Sequence, residues 1–168
     1  MSINYFRELL NRYRNRGALI DANLLLVYFV GMFDPEWIPK FKRTNTFTVE
    51  DFYLLAGLFK FFNKVVTTPN ILTEVNGFSN QLPRNLKPFY YSEFATQVMN
   101  LEEHYIESAS VTVLPHFNRF GLTDTGIVEL VRENYLVLTD DLELMGYLQN
   151  VNIDVINFNN IRVLNWNW

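Results

Sequence analysis

The chain contains no cysteine. Disulfides, thiolate zinc sites and cysteine nucleophiles are therefore excluded, and the composition fits a reducing compartment. Basic residues do not predominate either: 14 Lys and Arg stand against 18 Asp and Glu, for a net charge of −4. A nucleic-acid binder usually carries a basic patch. The balance argues against that role unless several acids hold cations, which would neutralise them. No apolar run reaches the ~20 residues that a membrane helix needs. Phe52 to Phe62 is strongly apolar, but it is short and Lys60 interrupts it. Ser2 to Arg16 has no continuous apolar core of the signal-peptide kind. The expectation is a cytoplasmic protein with no membrane contact. Internal repeats, low-complexity segments and linkers are also absent from the sequence.

What the chain does have is apolar and aromatic mass, at 49% and 16% of 168 residues. That suits one domain over residues 1–168, which at this length buries roughly 70% of its unfolded surface. Residues 2–16 space Ile3, Phe6, Leu9 or Leu10, and Tyr13 as a helix appended to the body, with Arg7, Arg12, Arg14 and Arg16 around it. Gly17 ends it. Strands are then expected at Ala18–Asp21, Val65–Thr67, Val111–Leu114, Leu136–Thr139 and Ile153–Ile156. Helices fall between them at about 24–32, from Thr48, from Pro69 with Asn70, over 85–109, from Thr123, and from Asp140-Asp141 to about Asn150. Thr48 with Asp51 reads as a reciprocal cap. The helix after it is apolar nearly all round, which offers one face to a second subunit or a protein partner. Residues 158–168 form a tail holding two Trp. Strands alternating with helices predict an α/β fold with three layers and a central parallel sheet.

The chain is organised around Ala18-Leu-Ile-Asp21-Ala-Asn23-Leu-Leu-Leu26. A buried strand here delivers one carboxylate to its end, and Asn23 opens a helix. Glu74, Asp124 and Asp141 follow the later strands or open helices in the same way. In open parallel sheets, ligands bind outside the carboxyl ends of the strands, so the four acids are expected to meet. Two carboxylates ~5 Å apart at an effective dielectric of ~20 repel by about 3 kcal/mol, so such a cluster needs protons or cations. Oxygen ligands without His or Cys favour Mg²⁺ or Mn²⁺, and such ions support phosphodiester hydrolysis. Asp140 has Glu143 three residues on, the spacing of a cap. That reading gives Asp140 to capping and leaves Asp141 for metal. Asn23 is read as a cap or as a donor that orients Asp21. Lys40, Lys42 and Arg43 lie in a loop beside Trp37 and Phe41, a composition that suits single-stranded RNA. An ordinary surface loop is the competing reading. His104 reads as exposed. His116 reads as a loop histidine, more often structural than a base.

The segments Ile20-Asp21-Ala22-Asn23, Leu72-Thr73-Glu74, Gly121-Leu122-Thr123-Asp124 and Leu138-Thr139-Asp140-Asp141-Leu142 resemble, in order, the acidic motifs of PIN-domain nucleases. The resemblance covers most of residues 18–157. It implies strand order 3-2-1-4-5 and metal-dependent cleavage of RNA to a 5′-phosphate and a 3′-hydroxyl. It places Asp21, Glu74, Asp124 and Asp141 on the ion, and Thr139 as the hydroxyl near it. Many members of the family dimerise, and many are toxins held by an antitoxin-like inhibitor. A phosphoaspartate enzyme wants a second Asp where Asn23 stands. A receiver domain wants a late Lys that Ile153–Phe158 lacks. The remaining alternative is a non-catalytic PIN-like interaction module.

Overall fold

The computed structural model describes residues 3–132 and 134–163. A five-stranded, all-parallel sheet lies at the centre, flanked by helices. Its strands are β1 (Ala18–Ile20), β2 (Val65–Thr67), β3 (Glu102–Glu103), β4 (Leu136–Thr139) and β5 (Val155–Asn157), in the order β3-β2-β1-β4-β5. The expected class and strand order are thus observed. Every residue of β1, β2, β4 and β5 is buried. Their continuous apolar character follows, because a parallel sheet covered by helices has no solvated face.

Helix α1 (Ile3–Tyr13) buries Phe6, Leu9, Leu10 and Tyr13, the stripe its spacing predicts. Its Arg12 and Tyr13 both reach Asp154 just before β5, at 2.9 and 3.0 Å. Gly17 turns the chain into β1 at φ +103°, where a Cβ would meet the Lys64 carbonyl oxygen at 2.9 Å. Both the conformation and the space call for glycine.

Helix α2 (Ala22–Phe33) is buried on most sides, because it packs against α3 (Val49–Phe61), α4 (Pro69–Ser79) and α5 (Lys87–Val98). The Thr48–Asp51 capping box forms as expected. The apolar faces of α3 are largely absorbed by this packing: Leu54, Ala56, Phe59 and Phe61 lean on the core, and Tyr53 is exposed. A Cβ on Gly31 would lie 2.1 Å from Cδ2 of Phe52, so the two helices approach through that gap. Gly31→Ala is expected to destabilise the fold by about 1–3 kcal/mol, as overpacking does. The urea midpoint should drop, and Phe52→Leu should recover part of the loss. An unchanged midpoint would disprove this close packing.

Between residues 85 and 115 the structure departs from the expected long helix and third strand. Helix α5 stops at Val98, residues 102–103 form β3, and Val111 lies in a short helix, α6 (Ser108–Thr112). The open edge of β2 decides this. Its backbone groups need partners, and Glu102, Glu103 and the His104 N–H supply them, the last to the Thr67 carbonyl at 2.9 Å. Lys64 holds the pairing through Glu102 at 3.0 Å. Local helical spacing loses to sheet completion. The β-branched run at 111–114 does not become a strand, and its Val113 is 80% exposed. His104 is half-buried rather than exposed and pairs with Glu102 at 2.8 Å.

Helix α7 (Phe117–Val131) follows, then β4, α8 (Leu142–Asn150), β5 and α9 (Phe158–Arg162). Strand β5 starts two residues later than expected. The described part of the tail docks: Phe158 and Ile161 are buried, and Arg162 binds Asp51 at 2.8 and 2.9 Å. The two tail Trp residues lie outside the described residues.

Candidate active site

Strands β1 and β4 are neighbours, and the chain leaves them toward opposite edges of the sheet. The crevice at such a switch point, outside the carboxyl ends, is where open α/β sheets bind ligands. Asp21 stands directly there. Its N–H donates to the Leu138 carbonyl at 3.0 Å, which ties it to β4. Its Oδ1 accepts from the Leu24 N–H at 2.9 Å, and its Oδ2 accepts from the Asp140 N–H at 3.1 Å. The neighbouring Thr139 hydroxyl also favours its anion. The carboxyl group is 5% exposed and held from two adjacent strands.

Two of the expected roles are exchanged. Asp21, not Asn23, is the cap of α2. Asn23 instead donates through Nδ2 to Asp140 Oδ1 at 3.2 Å. Asp141, not Asp140, caps α8, accepting from Glu143 N at 2.6 Å and Leu144 N at 3.0 Å. The reason lies at the end of β4. Thr139 Oγ1 accepts from Asp141 N at 2.9 Å, and this turn carries the extended backbone one residue further than the Asp140–Glu143 spacing suggests. Glu143 turns outward to Arg119, at 2.6 Å. Asp140 is thereby freed from capping, and it meets Asp21 through its N–H and its charge. Sequence reasoning set this residue aside, although it is the acid in contact with Asp21.

The electrostatics follow from that contact. Burial first, and the charge of Asp140 second, push the Asp21 carboxyl up to about 8, against three neighbours that favour its anion. Asp140 is also raised, by burial and by Asp141, while Asn23 and Asp21 restrain it. Both shifts favour a proton held by the pair.

Glu74, Asp124 and Asp141 form a second electrostatic group. Helix α7 breaks at Gly121, which lies at φ +68° and ψ −164°. The helix restarts after the break, so Asp124 falls in a first turn as expected, but the kink rather than a Thr123 cap produces it. Burial, then the charges of Glu74 and Asp141, raise Asp124 to about 6. Asp124→Asn is expected to stabilise the metal-free protein at pH 7.5 by about 1–2 kcal/mol, a figure reduced for solvent screening. Thermal melting in chelator checks it, and the gain should shrink to roughly half at pH 5 and vanish only below pH ~4, where the carboxyl is protonated in the unfolded chain as well. A loss at both pH values would make Asp124 a purely structural helix acid.

Ion pairs among the described residues leave Asp21, Glu74, Asp124, Asp140 and Asp141 without a cation. All five offer hard oxygen donors, which suits Mg²⁺ or Mn²⁺. Their positions stop short of a finished centre, since among the described residues no three such groups are arranged to hold an ion. The donor chemistry, not the present arrangement, suits a divalent ion. The side chains would have to close around it.

Lys40, Lys42 and Arg43 are exposed. The aromatic half of their expected role is not available: Phe41 is 4% exposed and part of the core, Trp37 packs against the core, and the Arg43 guanidinium already covers Phe78 at 4.6 Å. Asn157, in register with Thr139, was not singled out from the sequence. Four adjacent strands end apolar-apolar-polar, in Thr67, Asp21, Thr139 and Asn157, and all four polar residues are buried. That repeated ending was the available signal. Comparisons of the chain with protein-family models, with curated proteins and with solved structures gave no match.

Proposed function

We propose that this protein is a metal-dependent, PIN-like ribonuclease that hydrolyses phosphodiester bonds with Mg²⁺ or Mn²⁺. The observation that carries the reading is the set of carboxylates gathered at and beside the β1/β4 switch point, with a buried Asp21 in contact with Asp140 and no cation among the described residues paired to either. Asp21, Asp140, Asp124, Glu74 and Asp141 would hold the ion. When bound, the ion would stabilise charge on the phosphodiester oxygens and supply a nucleophilic water.

The chain's own residues do the positioning. Thr139 favours the Asp21 anion and accepts from Asp141 N, so one hydroxyl acts on both acids. Asn23 orients Asp140. The proton held by the pair must leave when a cation arrives, since an anionic carboxylate is the better ligand. The test is Mn²⁺ titration by calorimetry together with cleavage of a mixed-sequence single-stranded RNA. Saturable binding, proton release and chelator-sensitive cleavage are expected. Cleavage that persists in chelator rejects the metal mechanism.

A second reading is a non-catalytic module of the same fold. It is favoured by the lack of a three-carboxylate group already closed on a metal position among the described residues. Under that reading Mn²⁺ neither binds with saturation nor stabilises the fold, and RNA stays intact.

A further inference from the structure

The histidine that the carboxylate site does not use lies elsewhere, at a cavity of about 440 Å³. His116 lines it, with Leu114 from the segment after α6, Val128 and Arg132 from the end of α7, Tyr147 from α8, and Ile153 from the turn into β5. On α8 the cavity lies toward the end away from the acids, since Asp141 caps the start of α8 and Val151 follows its last turn; on α7 its Val128 is one turn beyond Asp124. The volume falls in the range of small-molecule sites, which combine an apolar lining with a few polar groups.

Three features define what would fit. Leu114, Val128 and Ile153 supply an apolar floor, so the ligand needs an apolar body. His116 and Tyr147 present two rings 5.2 Å apart at a tilt of 36°, which suits a flat body. Arg132 supplies a cation at the rim. Its pairing with Glu129 is between two solvent-exposed side chains, 61% and 35% exposed, and such pairs yield readily to a competing anion. The His116 Nε2 is buried with no hydrogen-bond partner among the described residues, although buried ring nitrogens ordinarily have one.

We propose that this cavity is a binding site for a small planar organic anion, an aromatic ring bearing a carboxylate. The ring lies on the apolar floor beside Tyr147, the carboxylate meets Arg132, and a shift of the Tyr147 ring brings His116 Nε2 into contact with the bound molecule. The site is independent of the carboxylate row and of any activity assigned to that row.

2-Naphthoate is the probe, and neutral 2-naphthamide is the control. Binding to the full chain is followed by calorimetry and by the imidazole resonances of His116. Naphthoate should bind saturably with a Kd of about 0.1–1 mM, as for a weak small-ligand site, and should shift the His116 signals. Arg132→Gln should weaken naphthoate by about tenfold, the loss of one charge-assisted contact, and leave naphthamide unchanged. Leu114→Trp, which fills the cavity from its wall, should abolish both. If that variant does not fold, the His116 shift in the parent decides. No saturation by ~5 mM, far above the expected Kd, overturns the proposal. So does equal affinity for acid and amide, or a His116 signal that does not respond to a bound probe.

Discussion

Asp21→Asn is expected to cut Mn²⁺-dependent RNA cleavage by about 10²–10³-fold, the cost of removing one preorganised group from a charged transition-state site. Manganese affinity should fall with it. The reason is position. Asp21 sits at the switch point with one oxygen fixed by Leu24 N and the other by Asp140 N. Asparagine keeps the cap on α2, because Asn caps a helix as well as Asp does. It also turns an amide toward the Asp140 N–H, so it removes both the charge and one acceptor. A melting temperature in chelator within a few degrees of the parent separates lost chemistry from lost fold. Asp141→Asn provides the contrast. Its cap hydrogen bonds survive the change, so any loss of cleavage reports on its charge. Full cleavage by Asp21→Asn would remove this residue from the site and the proposed function with it.

The second large effect is a fall in stability of the metal-free protein as pH rises. Asp21 and Asp124 have folded-state values of about 8 and 6, both above 3.8. A carboxyl raised on folding favours the protonated native state. Its stabilising contribution is complete below pH ~4 and is lost as pH climbs through the folded value. Between pH 5.5 and 8.5 the two acids together remove on the order of 3 kcal/mol. For a chain of this size that is roughly a 10 °C drop in Tm. Glu102 works in the opposite direction, because Lys64 and His104 hold it low, but its effect falls below this window. Saturating Mn²⁺ should flatten the slope, since a bound cation takes the place of the proton. A Tm in chelator that stays level, or rises, from pH 5.5 to 8.5 would show that Asp21 is ionised without penalty. The burial argument would then fail.

Some of this was legible residue by residue. Ala18–Ile20, Val65–Thr67 and Leu136–Thr139 are short apolar runs closed by polar residues, and each is a strand with its polar end at one edge of the sheet. The Thr48 capping box and the buried stripe of α1 needed only local spacing. The third strand was not legible, because Glu102 and Glu103 have nothing strand-like about them. They are a strand only because β2 has an open edge beside them and Lys64 lies within reach.

By itself, the sequence determined the alternation of strand and helix, the parallel sheet and the place of Asp21 at the end of its first strand. These depend on hydrophobic periodicity and chain direction, which are properties of neighbouring residues. Only the tertiary structure decided which acid touches which. Asp140 and Asp21 are 119 residues apart, and they meet because β1 and β4 pair and a Thr139 hydroxyl moves the cap of α8 to Asp141. A shift of one residue at that turn exchanges the roles of two adjacent aspartates. No local rule of spacing contains the hydrogen bond that makes the choice.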